Sequence, residues 1–288
     1  LISIGVRVKG NAFGVHGIAG SLGVAVVPAL SAWIGSAIGW RAPHVIFGMA
    51  GLGLGLYSLS LPRYPAPAAA PPVSESPPQA PPRPAAALDL VLFFLSATAL
   101  GMTYKGIMTF LPGYMGQNVS SGIAGLDPVA IGGAFATVAL ISGAIGQYIA
   151  GRLTDRFPAE RIYLCAVVLG TVFVFAMAAS KGVFLVLSAV LYALFYFAVQ
   201  PTQNYMISRY IPPHRRGLGY GVLFLLTFGV GSTAAAVSGF LADRFGLASV
   251  FYAMGCCFLL SAVLVALLLL RAERRRRQPP SPAAQAAR

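Results

Sequence analysis

Eight apolar runs dominate this chain, at residues 12–37, 42–61, 88–114, 128–152, 162–180, 183–211, 217–241 and 249–270. About 20 mostly apolar residues in helical form span the hydrocarbon core of a bilayer. Lipid offers no partner to a backbone N–H or C=O, and a helix satisfies those groups within one segment. Short apolar runs are ambiguous between strand and helix, but runs this long and this poor in charge are not. Composition removes the water-soluble alternative. Of 288 residues, 57% are hydrophobic and 9% charged, and mean hydropathy is +0.78; a domain facing water carries roughly 25% charged residues. The expected fold is an all-α polytopic membrane protein with eight transmembrane helices, and the lipid bilayer is its first partner.

The charges that remain are lopsided: Lys+Arg 20 against Asp+Glu 7, a formal +13. In a soluble protein that balance suggests nucleic acid, but here the charges punctuate apolar runs. Alternate loops hold Arg7 and Lys9; Arg63 and Arg83; Arg152, Arg156 and Arg161; Arg209, Arg215 and Arg216; and Arg271, Arg274, Arg275, Arg276, Arg277 and Arg288. These are 16 residues, against Arg41, Lys181 and Arg244 on the other side. By the positive-inside rule both termini are cytoplasmic. The "AERRRRQ" tail can also bind anionic lipid or nucleic acid; a topology anchor fits it better, and no nucleic-acid partner is expected.

Residues 61–87 hold ten of the 21 prolines, too many for a helix or a packed core, and read as an extended cytoplasmic linker. The chain divides into a two-span piece (1–60), the linker (61–87), a six-span piece (88–270) and a basic tail (271–288). It begins at Leu1, and "LISIGVRVKG" reads like the end of an earlier apolar segment, so upstream sequence is expected. A shift of 207 residues places Gly10, Gly14, Val15, Ala29, Ser31, Gly39, Gly48 and Leu52 on identical residues of the last two spans. Such parallel repeats build some transporters from two similar halves. By that repeat, about four spans are missing from the first half.

Gly151-Arg152-Leu153-Thr154-Asp155-Arg156, running on through "FPAER" to Arg161, closes the fourth span. The pattern G-x-L-x-D-R-x-x-x-x-R resembles the signature loop of the major facilitator superfamily, and it sits between the second and third spans of the six-span piece, as in that family. Gly239-x-Leu241-Ala242-Asp243-Arg244-x-Gly246 is a second echo. The resemblance covers essentially the whole chain, as helices five to twelve of a twelve-helix bundle. It implies a secondary transporter of a small organic solute, with a lean to an organic anion or drug-like compound, working by alternating access and monomeric when complete. The loop's chemistry suits a latch between bundles: Gly151 permits close approach, while Asp155, Arg156 and Arg161 can pair with helix ends or with opposite charges. The plainer alternative is a charged topogenic turn.

Lys105 is the one charge deep in a span, where a Lys costs about 2.5–3.5 kcal/mol and therefore usually faces a polar interior. Thr98, Met102, Lys105 and Thr109 share a helical face. On the sixth span Tyr192, Tyr196, Gln200, Gln203 and Asn204 form a second polar stripe, interrupted by Pro201. The resemblance places both stripes on cavity-lining helices. Lys105 is expected to attract an anionic group, with Tyr196, Gln200, Gln203 and Asn204 supplying hydrogen bonds; alternatively Lys105 snorkels, and the amides join helices. No Asp or Glu lies mid-span to carry a coupling ion, for which H⁺ is the expectation. "GSLGVAVVPALSAWIG" departs from the family's antiporter motif, with Val27 before Pro28. Cys165, Cys256 and Cys257, like His16, His44 and His214, show no metal-ligand spacing. No catalytic constellation appears, so neither enzyme activity nor a cofactor is expected. The rival functional reading is a truncated, non-transporting membrane remnant or assembly partner.

Overall fold

Each expected span is a helix in the computed structural model, which describes residues 9–61, 87–119 and 127–277. The Pro-rich linker from residue 62 to 86 and the tail beyond 277 lie outside the described residues. The helices are α1 (Lys9–Ile38), α2 (Ala42–Ser60), α3 (Ala87–Val119), α4 (Pro128–Arg156), α5 (Ala159–Ala179), α6 (Gly182–Tyr210), α7 (Arg216–Phe224), α8 (Gly231–Phe245) and α9 (Leu247–Arg277). A π-helical turn, Leu225–Val230, joins α7 to α8 as one span. Among the described residues, eight helices are thus long and apolar enough to cross a membrane. The chain is a multi-pass membrane protein.

Local chemistry sets the boundaries. Asp127 caps α4 by accepting the Val129 N–H at 3.1 Å, and Pro128 takes the first helical position, where its missing N–H costs nothing. Gly39 and Gly246, partners under the 207-residue shift, turn the chain between α1 and α2 and between α8 and α9. Both have positive φ, 115° and 82°, a backbone region that L side chains rarely adopt.

α4 packs along α1 on one side and α6 on another, α3 packs on α9, α4 and α8, and α5 closes the bundle against α6 and α9. Phe93, Ile107, Met115, Tyr163, Phe197, Met206, Phe251 and Phe258 fill the centre. Glycines let helix backbones touch: a Cβ on Gly146 would strike the Leu194 carbonyl, and one on Gly101 would strike Thr227. Small residues do this in membranes because burying apolar surface gives no advantage over lipid, leaving close packing to hold helices together. The outer wall is correspondingly apolar, with Trp33, Leu54, Leu59, Val183 and Phe184 all exposed.

Candidate functional site

The last turns of α4 are built against the start of α1. The Gly10 N–H donates to Asp155 Oδ1 at 2.8 Å and the Asn11 N–H to Oδ2 at 2.7 Å. One carboxylate thus satisfies two of the orphan donors in the first turn of α1 and stands at its positive dipole end. The fit depends on glycine. A Cβ on Gly10 would lie 2.5 Å from the Gly151 carbonyl oxygen, and one on Gly151 would lie 2.9 Å from Gly14 Cα. Arg161 turns elsewhere. It pairs with Glu273 of α9 at 2.7 Å, within the six-helix bundle. Arg156 is exposed in the last turn of α4. Of the four residues expected to form a latch, Gly151 and Asp155 meet α1, whereas Arg161 ties α5 to α9.

α1 and α4 stay in contact towards their other ends, where a Cβ on Gly133 would lie 2.7 Å from the Pro28 carbonyl oxygen and from Ala32 Cβ. Pro28 cannot donate within α1, and next to it the Ala29 N–H donates across to Thr137 Oγ1 at 3.1 Å. Beside this seam a cleft opens between α1, α3 and α4. Its inner cavity, about 230 Å³, is lined by Val24, Val27, Pro28, Tyr104, Met108 and Leu140 among others. Through Val27, Pro28 and Pro112 it adjoins a cavity of about 740 Å³ at the end away from Asp155, where Trp40, His44 and Asp127 stand. The walls are almost wholly apolar, as in sites that take up organic ligands.

Lys105 lies half-buried one residue from Tyr104. Its Nζ is 5.3 Å from the centroid of the Phe228 ring and 5.9 Å from that of Tyr104. Tyr104 is stacked on Tyr196, centroids 5.3 Å apart and planes 13° apart. Thr98 and Thr109 donate their hydroxyls back to the carbonyls of Phe94 and Lys105, at 2.8 and 2.7 Å, and Met102 packs half-buried against the core. The stripe on α6 divides. Tyr196 joins the aromatic cluster; Gln200 Oε1 accepts from Gln147 Nε2 of α4 at 2.7 Å. Gln203 does not reach the cleft: it is buried and donates to the Tyr163 hydroxyl of α5 at 2.8 Å. The carbonyl of half-buried Asn204 accepts from Tyr220 at 3.1 Å. The structure therefore brings Lys105 and Tyr196 together through Tyr104, and directs Gln203 into the interior.

Sequence reasoning missed Tyr104 and Phe228, residues of the kinds that fill any apolar helix, and Gln147, a polar residue of the fourth span whose partner Gln200 only the fold brings near. It also missed Asp89, fully buried at the start of α3 and paired with Arg271 at 2.7 Å and with Arg275. A signal existed there, because Arg271 and Arg275 are one turn apart and face the same way.

The architecture and the Asp155 loop agree with the match to known families. The model of the Major Facilitator Superfamily matches residues 93–287. This chain belongs to the Major Facilitator Superfamily. Among curated members it is similar to the multi-drug resistance efflux pump PmrA homolog of Lactococcus lactis, 28% identical over 61% of this chain and 42% of that protein. It is similar also to the multidrug resistance protein MdtG of Klebsiella pneumoniae, 30% identical over 57% of this chain and 39% of the relative. A third relative, MdtG of Dickeya zeae, is 29% identical over 60% of the chain and 43% of its own length. The chain spans about two fifths of the length of the relatives it matches. The superfamily is one of transporters rather than enzymes.

Proposed function

We propose that this chain acts in a secondary transporter that exports small, largely apolar organic solutes from the cytoplasm, with H⁺ as the coupling ion. The observation that carries this reading is the apolar cleft between α1, α3 and α4, which adjoins the cavity at Trp40 and lies along the α1–α4 seam away from the Asp155 cap. Access from one end at a time is what alternating access requires, and in our reading the cleft is shut at the Asp155 end in this state. The Asp155 cap on α1 is the latch of that state: two charge-assisted hydrogen bonds hold the helices together at one end and must break for that end to open. Tyr104 lines the cleft; Lys105 follows it on α3 and Tyr196 stacks on its ring. We assign Lys105 and Tyr196 to solute binding, together with Met102, Thr98 and Thr109 on the helical face of Lys105 and Gln200 and Asn204 further along α6. The amphipathic setting of one ammonium among rings favours neutral and anionic compounds. The relatives' names, which speak of multidrug resistance and efflux, support export and a broad solute class.

The test is flux by the complete reading frame in proteoliposomes, with and without an imposed proton gradient. Uptake of hydrophobic dyes into inside-out vesicles, accelerated by the gradient, is expected. Equal flux in protein-free liposomes for every neutral, anionic and cationic dye would sink the proposal.

A further inference from the structure

Lys105 has no carboxylate partner among the described residues; its ammonium lies within 6 Å of two ring faces, Phe228 and Tyr104. That is the distance at which a cation is held by the negative face of an aromatic ring. The arrangement is built. Tyr104 is fixed from behind by the stacked Tyr196 and meets Phe197 and Phe228 edge-on, at 6.2 and 6.5 Å. Phe228 lies in the π-helical turn Leu225–Val230, an energetically poor helix form that tends to appear at functional sites. The turn has backbone packing of its own, with Thr227 seated against Gly101. Phe228 and Lys105 are partly open to the bundle face, not sealed in the core.

Rings gathered in this way around an open face are what organic cations seek. Here the ring faces are already taken by a cation that cannot leave. We propose that Lys105 is a tethered occupant of an aromatic cation site, and that it sets the charge selectivity of the transporter. With Lys105 in place, an organic cation meets occupied rings and a like charge; an organic anion meets both an ammonium and apolar walls. Without Lys105, the same rings become a binding site for lipophilic cations. The inference rests on the solute-transport reading above, but its test reads binding and not flux.

The probes are tetraphenylphosphonium and tetraphenylborate, close in size and shape and opposite in charge. Binding is measured by equilibrium dialysis on the purified chain in detergent. For K105Q and K105M we expect tetraphenylphosphonium affinity to rise at least tenfold and tetraphenylborate affinity to fall. K105R, whose guanidinium also stacks on rings, should keep the wild-type pattern. In the K105Q background, F228L or Y104L should reverse the gain. Elution volume and melting temperature identify any variant that fails to fold, and the conclusion is drawn from whichever of K105Q and K105M elutes as wild type. Cation affinity within twofold of wild type in a folded K105Q or K105M overturns the proposal, as does a gain that survives loss of both rings. Failure of flux with the binding shift intact would remove the transport reading and leave the site; flux without the binding shift would overturn the site and its selectivity role and leave the transport reading.

Discussion

At the scale of single residues, the chemistry rests on a few polar groups whose partners are unusual. Among the described residues Asp155 binds backbone and not a basic side chain, so its contribution is that of a helix cap carried on another helix. Loss of a capping acceptor costs about 1 kcal/mol. D155A is therefore expected to speed hydrogen exchange at Gly10 and Asn11 roughly fivefold, which is what about 1 kcal/mol amounts to. D155N keeps one acceptor and should fall between; identical exchange in all three proteins would mean that the cap does not hold α1. Asp89 presents the opposite case. Its carboxylate is fully buried, while the side chains of Arg271 and Arg275 are 41% and 31% exposed. Removing the acid strands two cations, but water reaches both, which brings the loss below that of a sealed pair. A D89A cost of about 1–3 kcal/mol is expected. R161A, which breaks a pair 59% exposed on the Arg side, should cost less than about 1 kcal/mol. Thermal unfolding in detergent separates the two; a larger loss for R161A would reverse this ranking.

At the scale of elements, the helices were legible because lipid imposes a length and charge marks the ends. Span 42–61 corresponds to α2 at Ala42–Ser60 and span 183–211 to α6 at Gly182–Tyr210, since Arg41, Lys181 and Arg209 stand at or near those ends. The seventh span was legible as a span but not as three pieces. Its π turn depends on backbone packing of Thr227 against Gly101, a contact between residues over a hundred positions apart. The same distance hid the neighbourhood of Lys105, whose polar character was plain but whose two rings come from its own helix and from that turn. Helical spacing also overstated the stripe on α6: 196, 200 and 203 are near one another on the helix, yet Gln203 swings inward to Tyr163. The packing gives a prediction for the element. G101V places side-chain atoms where Thr227 backbone now lies, so the π turn must move. We expect lower thermal stability by about 1–3 kcal/mol, the usual cost of overpacking. An unchanged melting temperature would mean that the π turn is not held by that contact.

At the scale of the whole molecule, the proposed transport cycle turns on one carboxylate and one seam. α1 and α4 run antiparallel and touch from Gly10 and Gly151 at one end to Ala32 and Gly133 at the other. In the proposed cycle the bundle would rock about that seam, with the cleft beside it opening alternately to either end. On the orientation that the positive-inside rule proposes, the Asp155 end faces the cytoplasm and the cavity at Trp40, His44 and Asp127 would be the external mouth. Both statements can be read in a single cysteine experiment on cells carrying the complete reading frame, with Cys165, Cys256 and Cys257 first replaced by serine. H44C should react with a membrane-impermeant maleimide added outside, and R274C only after the membrane is permeabilised; the reverse pattern would invert the topology. D155A should then slow H44C labelling, because loss of the cap removes about 1 kcal/mol from the externally open state. A shift of that size changes the ratio of the two states about fivefold. The rate of labelling follows the fraction open to the outside, so the slowing is large only where the two states are close in energy, as transport at a useful rate requires. Labelling that is slowed by D155A and restored by D155N ties the latch to the conformational balance. Labelling that D155A leaves untouched would confine Asp155 to the stability of α1.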